Sequence, residues 1–134
     1  MIEAMSRIFV ILSGVLGLTA VAFGAFGAHG LRSRLDGLPD GIKRMEWWTT
    51  AAHYHLTHAL ALALVAWLAQ RGVGASATVA GWCFVAGVLL FSGSLYLMTV
   101  TGMTKLGMIT PFGGLLMMLG WGAVIAAGFR LGSG

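Results

Sequence analysis

The stretch GVGASATVAGWCFVAGVLLFSGSLYLMTVTGMT, residues 72–104, runs for 33 positions without an Asp, Glu, Lys or Arg. A helix that crosses a bilayer needs roughly 20 predominantly apolar residues, so this stretch alone is long enough to span. Residues 8–31, 47–70 and 106–129 are equally free of charge, and the charged side chains fall in the gaps between the four. Only 9% of the 134 residues are charged, against about 25% in a soluble domain. The reading is an all-α integral membrane protein, a four-helix up-down bundle formed by one domain over residues 1–134. Its helices are expected at about 8–28, 48–70, 76–101 and 107–129.

The gaps set the connections. Residues 29–46 hold Arg32, Arg34, Lys43 and Arg44 with three acids, and Leu38-Pro39-Asp40-Gly41 is a turn signal. A short amphipathic segment (Ile42, Met45, Trp48) is expected at the membrane interface before the second helix, with Trp47 and Trp48 in an aromatic belt. Arg71-Gly72-Val73-Gly74 and the turn around Lys105 are too short for anything but antiparallel hairpins. Pro111 falls in the first turn of the fourth helix, where its missing N–H is harmless. Gly132-Ser133-Gly134 is expected as a frayed tail. A secretory signal peptide competes for the first segment, but its apolar run exceeds the usual 7–15 residues.

Charge also gives orientation. The first and third connections carry five Lys/Arg (Arg32, Arg34, Lys43, Arg44, Lys105), and the other side carries three (Arg7, Arg71, Arg130). The positive-inside rule places the 29–46 loop in the cytoplasm and both termini outside a bacterial inner membrane. The basic residues form no patch interleaved with aromatics, so no nucleic-acid partner is expected. The expected partners are the lipid bilayer and a second copy of the chain or a larger membrane complex.

All four acids (Glu3, Asp36, Asp40, Glu46) precede the second segment, so no carboxylate lies within the spans for ion coupling or for a Ser-His-Asp triad. Cys83 is the only cysteine and reads as a small buried hydrophobe. No catalytic residue, metal or cofactor is expected. Two kinds of residue remain. Gly17, Gly24 and Gly27 on the first helix, Gly93 on the third, and Gly113 and Gly114 on the fourth fit small-residue helix packing, which lets backbones approach closely in lipid. His53, His55 and His58 crowd the second helix, with His29 at the end of the first. His55 and His58 lie about 60° apart on one face, and His53 points away from it. On the third helix, Ser92, Tyr96 and Thr99 share a face.

The ordered stretches GAFGAHGL (24–31), TAAHYHLTHALALAL (50–64), LLFSGSLYLM (89–98) and GMITPFGGLLMMLGW (107–121) resemble the domain-of-unknown-function 423 family, which includes YgdD-like and transmembrane-protein-256-like small membrane proteins. The resemblance covers nearly the whole chain. It implies a four-helix inner-membrane protein and no particular activity. The family pattern falls on Gly27, Ala28, His29 and Gly30, on Tyr54 and His58, on Ser92, Gly93, Ser94 and Tyr96, and on Thr110, Pro111, Gly113, Gly114 and Trp121. It favours His29 with His58 over His53 and His55. Two functions follow as expectations. One is a non-enzymatic protein that packs as an oligomer or as an accessory subunit. The other is a ligand-binding or transport-like module, in which His29, His58, Tyr96 and Thr110 form a polar pocket for a quinone, lipid headgroup or ion.

Overall fold

The computed structural model describes residues 1–132, and those residues contain helices and turns and no strand. The last two residues of the expected tail lie outside the described residues. The helices are α1 (Ile2–Phe26), α2 (Arg32–Leu35), α3 (Gly41–Gln70), α4 (Ala75–Thr101) and α5 (Thr110–Gly128). A π turn (Gly27–Leu31) fuses α1 to α2, and a 3-10 turn (Thr104–Met108) precedes α5. The result is four long helical rods.

The expected loop at 29–46 is therefore much shorter. Only 36–40 is non-helical there. The motif GAHGL continues the first helix as a π turn, because Trp48 packs where a Cβ of Gly27 would stand and its indole N–H donates to the Phe23 carbonyl at 2.8 Å. The anticipated interfacial segment is no separate element either. Ile42, Met45 and Trp48 belong to the first turns of α3. Trp48 is buried rather than part of an aromatic belt, whereas Trp47 is half-buried, with the Lys43 ammonium 5.7 Å over its ring. The turn at Leu38-Pro39-Asp40-Gly41 forms as expected, closed by Gly41 N–H to the Leu38 carbonyl at 3.1 Å. Gly41 must lack a Cβ because the Leu35 carbonyl occupies that position.

Three rods, Ile2–Leu35, Ala75–Thr101 and Thr104–Gly128, are long and apolar enough to cross a membrane. The fourth, α3, is long enough at 30 residues, but His53, His55, His58 and Gln70 dilute its apolar character. Its position covers His55 and His58 but not His53 and Gln70, which are exposed: α1 packs along one side of it and α4 along the other. α5 packs on α4. The outer rods stay largely uncovered, with 11% of the apolar stretch of the first and 17% of the last buried, against 50% for α4.

The packing faces follow a spacing of seven. On α1 the inward line is Ser6, Ser13, Ala20 and Gly27; on α3 it includes Ala59 and Ala66; on α4 it is Ala80, Gly87 and Ser94; on α5 it is Gly113, Gly120 and Ala127. Seven residues bring a helical position back to nearly the same face, and small residues there let two backbones close up. Ser13 Oγ donates to the Ala59 carbonyl at 2.7 Å across the α1/α3 seam. At the α4/α5 seam a Cβ on Gly113 would collide with the Phe91 backbone, and one on Gly120 would meet the Phe84 ring at 2.6 Å. A Cβ on Gly81 would overlap the Phe9 ring, which reaches α4 from α1.

Of the glycines expected to pack, Gly27 and Gly113 make close approaches. Gly114 is in ordinary contact, 3.7 Å from the Phe91 ring, and Gly17, Gly24 and Gly93 have no atom within 4 Å of a Cβ position. Gly81, Gly87 and Gly120 take the tight positions instead.

Contacts tie the charged belts to opposite ends. At one end Arg44 Nη1 donates to the Thr99 carbonyl at 3.4 Å. At the other, Arg130 Nη1 donates to the Val73 carbonyl at 3.3 Å. At 1.5 Å per residue, α4 rises about 36 Å from Ala75 to Thr99, between the thickness of a bilayer's hydrocarbon core and that of the bilayer with its headgroups.

Candidate functional site

Two apolar clusters fill the interior. One gathers Phe9, Leu62, Val65, Ala77 and Phe84, and the other Leu31, Leu35, Trp48, Leu95 and Tyr96. Between them on α3 sit His55 and His58, each 4% exposed. Histidine reaches this depth only when both ring nitrogens find partners, because an unpaired polar atom in an apolar interior costs about 1–3 kcal/mol.

His55 links three helices. Its Nε2 lies 3.1 Å from Thr19 Oγ1 on α1, and its Nδ1 lies 3.0 Å from Tyr96 Oη on α4. Thr19 Oγ1 also lies 2.9 Å from the Val15 carbonyl and 3.1 Å from the Leu16 carbonyl, and we assign its proton to this helical backbone, so that its oxygen accepts from His55 Nε2–H. Nδ1 is then left to accept from the Tyr96 hydroxyl. The chain runs Tyr96 to His55 to Thr19 to Val15, with each donor used. At about 1.5 Å per residue, His55 stands about 16 Å inside Arg44 and about 24 Å from Arg71 along α3, which places it deep in the apolar layer.

His58 is held differently. Its Nδ1 lies 2.8 Å from the Tyr54 carbonyl, and its Nε2 accepts from the Trp121 indole N–H at 3.2 Å. A carbonyl only accepts and an indole N–H only donates, so the partners select the neutral ring with its proton on Nδ1. Nearby, Ser92 Oγ donates to the Ala51 carbonyl at 2.8 Å. Ser94 donates to the Phe91 carbonyl at 2.9 Å and accepts from Thr110 at 2.7 Å. Among the described residues, the one buried side-chain polar atom without a partner is Ser6 Oγ.

The four residues expected to form a polar pocket stand apart. Tyr96 joins His55, His58 joins Trp121, Thr110 joins Ser94, and His29 is exposed on the π turn. No hydrogen bond or ring contact connects any two of them. His55, which the resemblance ranked below His58, is the residue that bridges helices. His53 lies on the exposed face. The signal for His55 was its shared face with His58 and the presence of Tyr96 and Thr19 on neighbouring helices, but the pairing of α1 with α3 in this register is a tertiary fact. Among the described residues no three of His, Cys, Asp or Glu come together to hold a metal ion.

Beside the His55 chain a cleft of about 220 Å³ opens between α1 and α4, lined by Leu16, Thr19, Phe23, His55, Val88, Leu89, Ser92, Gly93 and Tyr96. Its walls are mostly apolar, and the absent side chain of Gly93 leaves it open. The arrangement holds three helices in register. Its energetic weight can be measured by a double-mutant cycle on His55→Phe and Tyr96→Phe in detergent. The expected coupling is about 0.6 kcal/mol and at most about 1.7, the range seen for hydrogen bonds between membrane helices. A coupling near zero would mean that the two side chains sit together without supporting each other.

Comparison with known proteins gives a family and its membrane character. Residues 23–114 match the family described as "Protein of unknown function (DUF423)". The chain is 44% identical over 126 residues to the UPF0382 membrane protein YwdK of Bacillus subtilis, covering 92% of this chain and 98% of that protein. It is 37% identical over 124 residues to the UPF0382 membrane protein SH2409 of Staphylococcus haemolyticus, covering 92% and 97%. No solved structure matches. The matched segment holds the π turn, the histidine belt and the Gly113 approach, and with relatives aligned end to end the chain belongs to the DUF423 family, the UPF0382 membrane proteins.

Proposed function

We propose that this protein is a non-enzymatic, multi-pass protein of the bacterial inner membrane, crossing as an up-down bundle and working by packing against a second copy or a larger membrane complex. The observation that carries the reading is the outward face of α1. Gly14 and Gly17 have no atom within 4 Å of a Cβ position. Flanked by the exposed Val10, Ile11, Leu18 and Val21, they leave room where another helix can approach closely, as small residues do in lipid. The interior supports the same reading, because His55, His58 and the buried hydroxyls of Ser92, Ser94 and Thr99 all have partners within the chain. The orientation that fits the charge belts puts the 36–40 turn in the cytoplasm. A Ser33→Cys variant in a Cys83→Ser background should then resist an impermeant thiol reagent added to intact cells, and labelling from outside would reverse the orientation.

Native mass spectrometry of gently extracted protein, with metal analysis and an absorption spectrum of the same sample, tests the packing role. The expected result is an oligomer or a co-purifying membrane complex without a chromophore or metal, weakened by Gly17→Leu. A strict monomer in both mild detergent and nanodiscs would overturn it. The cleft over Gly93 favours a second reading, a site for a small amphiphile such as a quinone beside Thr19, His55 and Tyr96. A stoichiometric non-lipid ligand lost on His55→Phe would establish that reading in place of the first.

A further inference from the structure

We propose that the groove between the end of α1 and the start of α3 is a binding site for one glycerophospholipid, with its phosphate on Arg32 and an acyl chain lying along the groove. The groove measures about 280 Å³ and is lined by Gly24, Ala28, Met45, Thr49 and Ala52, with Arg32 at its mouth. A neighbouring cavity of about 360 Å³ shares Arg32 and Met45 and continues to Asp36 and Gly37 at the turn. The two cavities adjoin at Arg32 and Met45: the inner one is walled mostly by small and apolar side chains, and the outer one carries both Arg32 and Asp36 where it meets the turn.

The shape has a local cause. Gly27 has no side chain, so Trp48 seats against the helix and forms the groove floor. Gly24 and Ala28, flanking it, leave the wall low. The π turn carries the chain from this wall to Arg32, and π turns recur at functional sites. Arg32 is exposed. Among the described residues the one salt bridge is Arg44 to Asp40, at 2.8 Å, so Arg32 has no ion pair. Its planar guanidinium matches a phosphate with two parallel hydrogen bonds. Asp36 also lines the outer cavity, placing a carboxylate beside the headgroup portion beyond the phosphate. Among the described residues, Arg32 is the one cation lining the two cavities, so it is the group that meets the phosphate, which every glycerophospholipid carries. The site is distinct from the His55 cleft and does not depend on the packing role.

The test is native mass spectrometry of delipidated protein titrated with phosphatidylethanolamine, phosphatidylglycerol or a phosphate-free diacylglycerol glycolipid. Retention is read on every oligomeric species. One phospholipid should remain bound per chain, and the glycolipid should not. Arg32→Gln should cut retention about fivefold, with Arg32→Lys partly restoring it. Ala28→Phe, which fills the groove, should also cut it, and Lys43→Gln, on the same side but outside both cavities, should leave it unchanged. Circular dichroism and thermal unfolding of Arg32→Gln, a change at an exposed side chain, should match the parent. Equal retention in Arg32→Gln, equal retention of the glycolipid, an equal loss in Lys43→Gln, or displacement of the lipid by millimolar inorganic phosphate would each overturn the proposal.

Discussion

Gly113→Leu should separate α5 from α4 and destabilise the protein severely. A Cβ at that position collides with the Phe91 backbone nitrogen, and it would stand 2.8 Å from both the Gly87 carbonyl oxygen and Phe91 Cα. Overpacking costs about 1–3 kcal/mol where side chains can move aside. Here the obstacle is backbone within a helix, which cannot. The expected loss exceeds about 3 kcal/mol, because displacing α5 also breaks the Ser94–Thr110 and His58–Trp121 hydrogen bonds. Thermal unfolding in dodecyl maltoside, followed by circular dichroism, measures it. Gly17→Leu is the control and should fall within about 0.5 kcal/mol of the parent as a monomer. Gly114→Leu should be mild, since its neighbour is the edge of a ring. Equal stability of the Gly113 and Gly17 variants would mean that α5 does not pack on α4 in this register.

Trp48→Ala is the second large effect. The ring is buried between α1, α3 and α4. Its centroid lies 4.5 Å from that of Tyr96, 5.6 Å from that of Phe26 and 5.7 Å from that of Phe23. Removing a buried Trp costs about 3–5 kcal/mol in a soluble core. In lipid the transfer part shrinks, because the surrounding solvent is itself apolar, and the lost packing contacts remain. The expected cost is about 2–3 kcal/mol. Trp48→Phe should cost about 1 kcal/mol: it loses the hydrogen bond to the Phe23 carbonyl but keeps much of the stacking. The same unfolding assay separates the two. A Phe variant as unstable as the Ala variant would assign the effect to the indole hydrogen bond and not to packing.

The glycines show why the candidate residues were only half legible. A glycine in an apolar segment permits close approach, yet the sequence does not say whether anything approaches. Gly113 and Gly24 look alike in the chain, and only Gly113 meets a neighbour. The pattern that does mark the seams is the recurrence of a small residue every seven, Ser6-Ser13-Ala20-Gly27 being the clearest, and a single small residue in an apolar run does not disclose that spacing. The histidines behave similarly. Their crowding on one segment was visible, but His55 gains its role from Thr19 and Tyr96, which lie 36 positions before it and 41 after it.

The amino-acid order dictates the chemistry of the rods: long uncharged runs must be helices in lipid, because every backbone N–H and C=O has to be satisfied within the segment. It dictates the tight turns at 36–40 and 71–74 as well, where Gly37, Gly72 and Gly74 adopt positive φ that other residues resist. Three outcomes come from packing alone: the first helix continues through a π turn to Leu35, α3 is flanked by α1 and α4 with His55 and His58 covered, and His55 rather than His58 bridges α1, α3 and α4. They depend on which faces meet. Apolar side chains gain almost nothing from choosing one neighbour over lipid, so the choice is made by shape, through small residues in register and a few hydrogen bonds between rods.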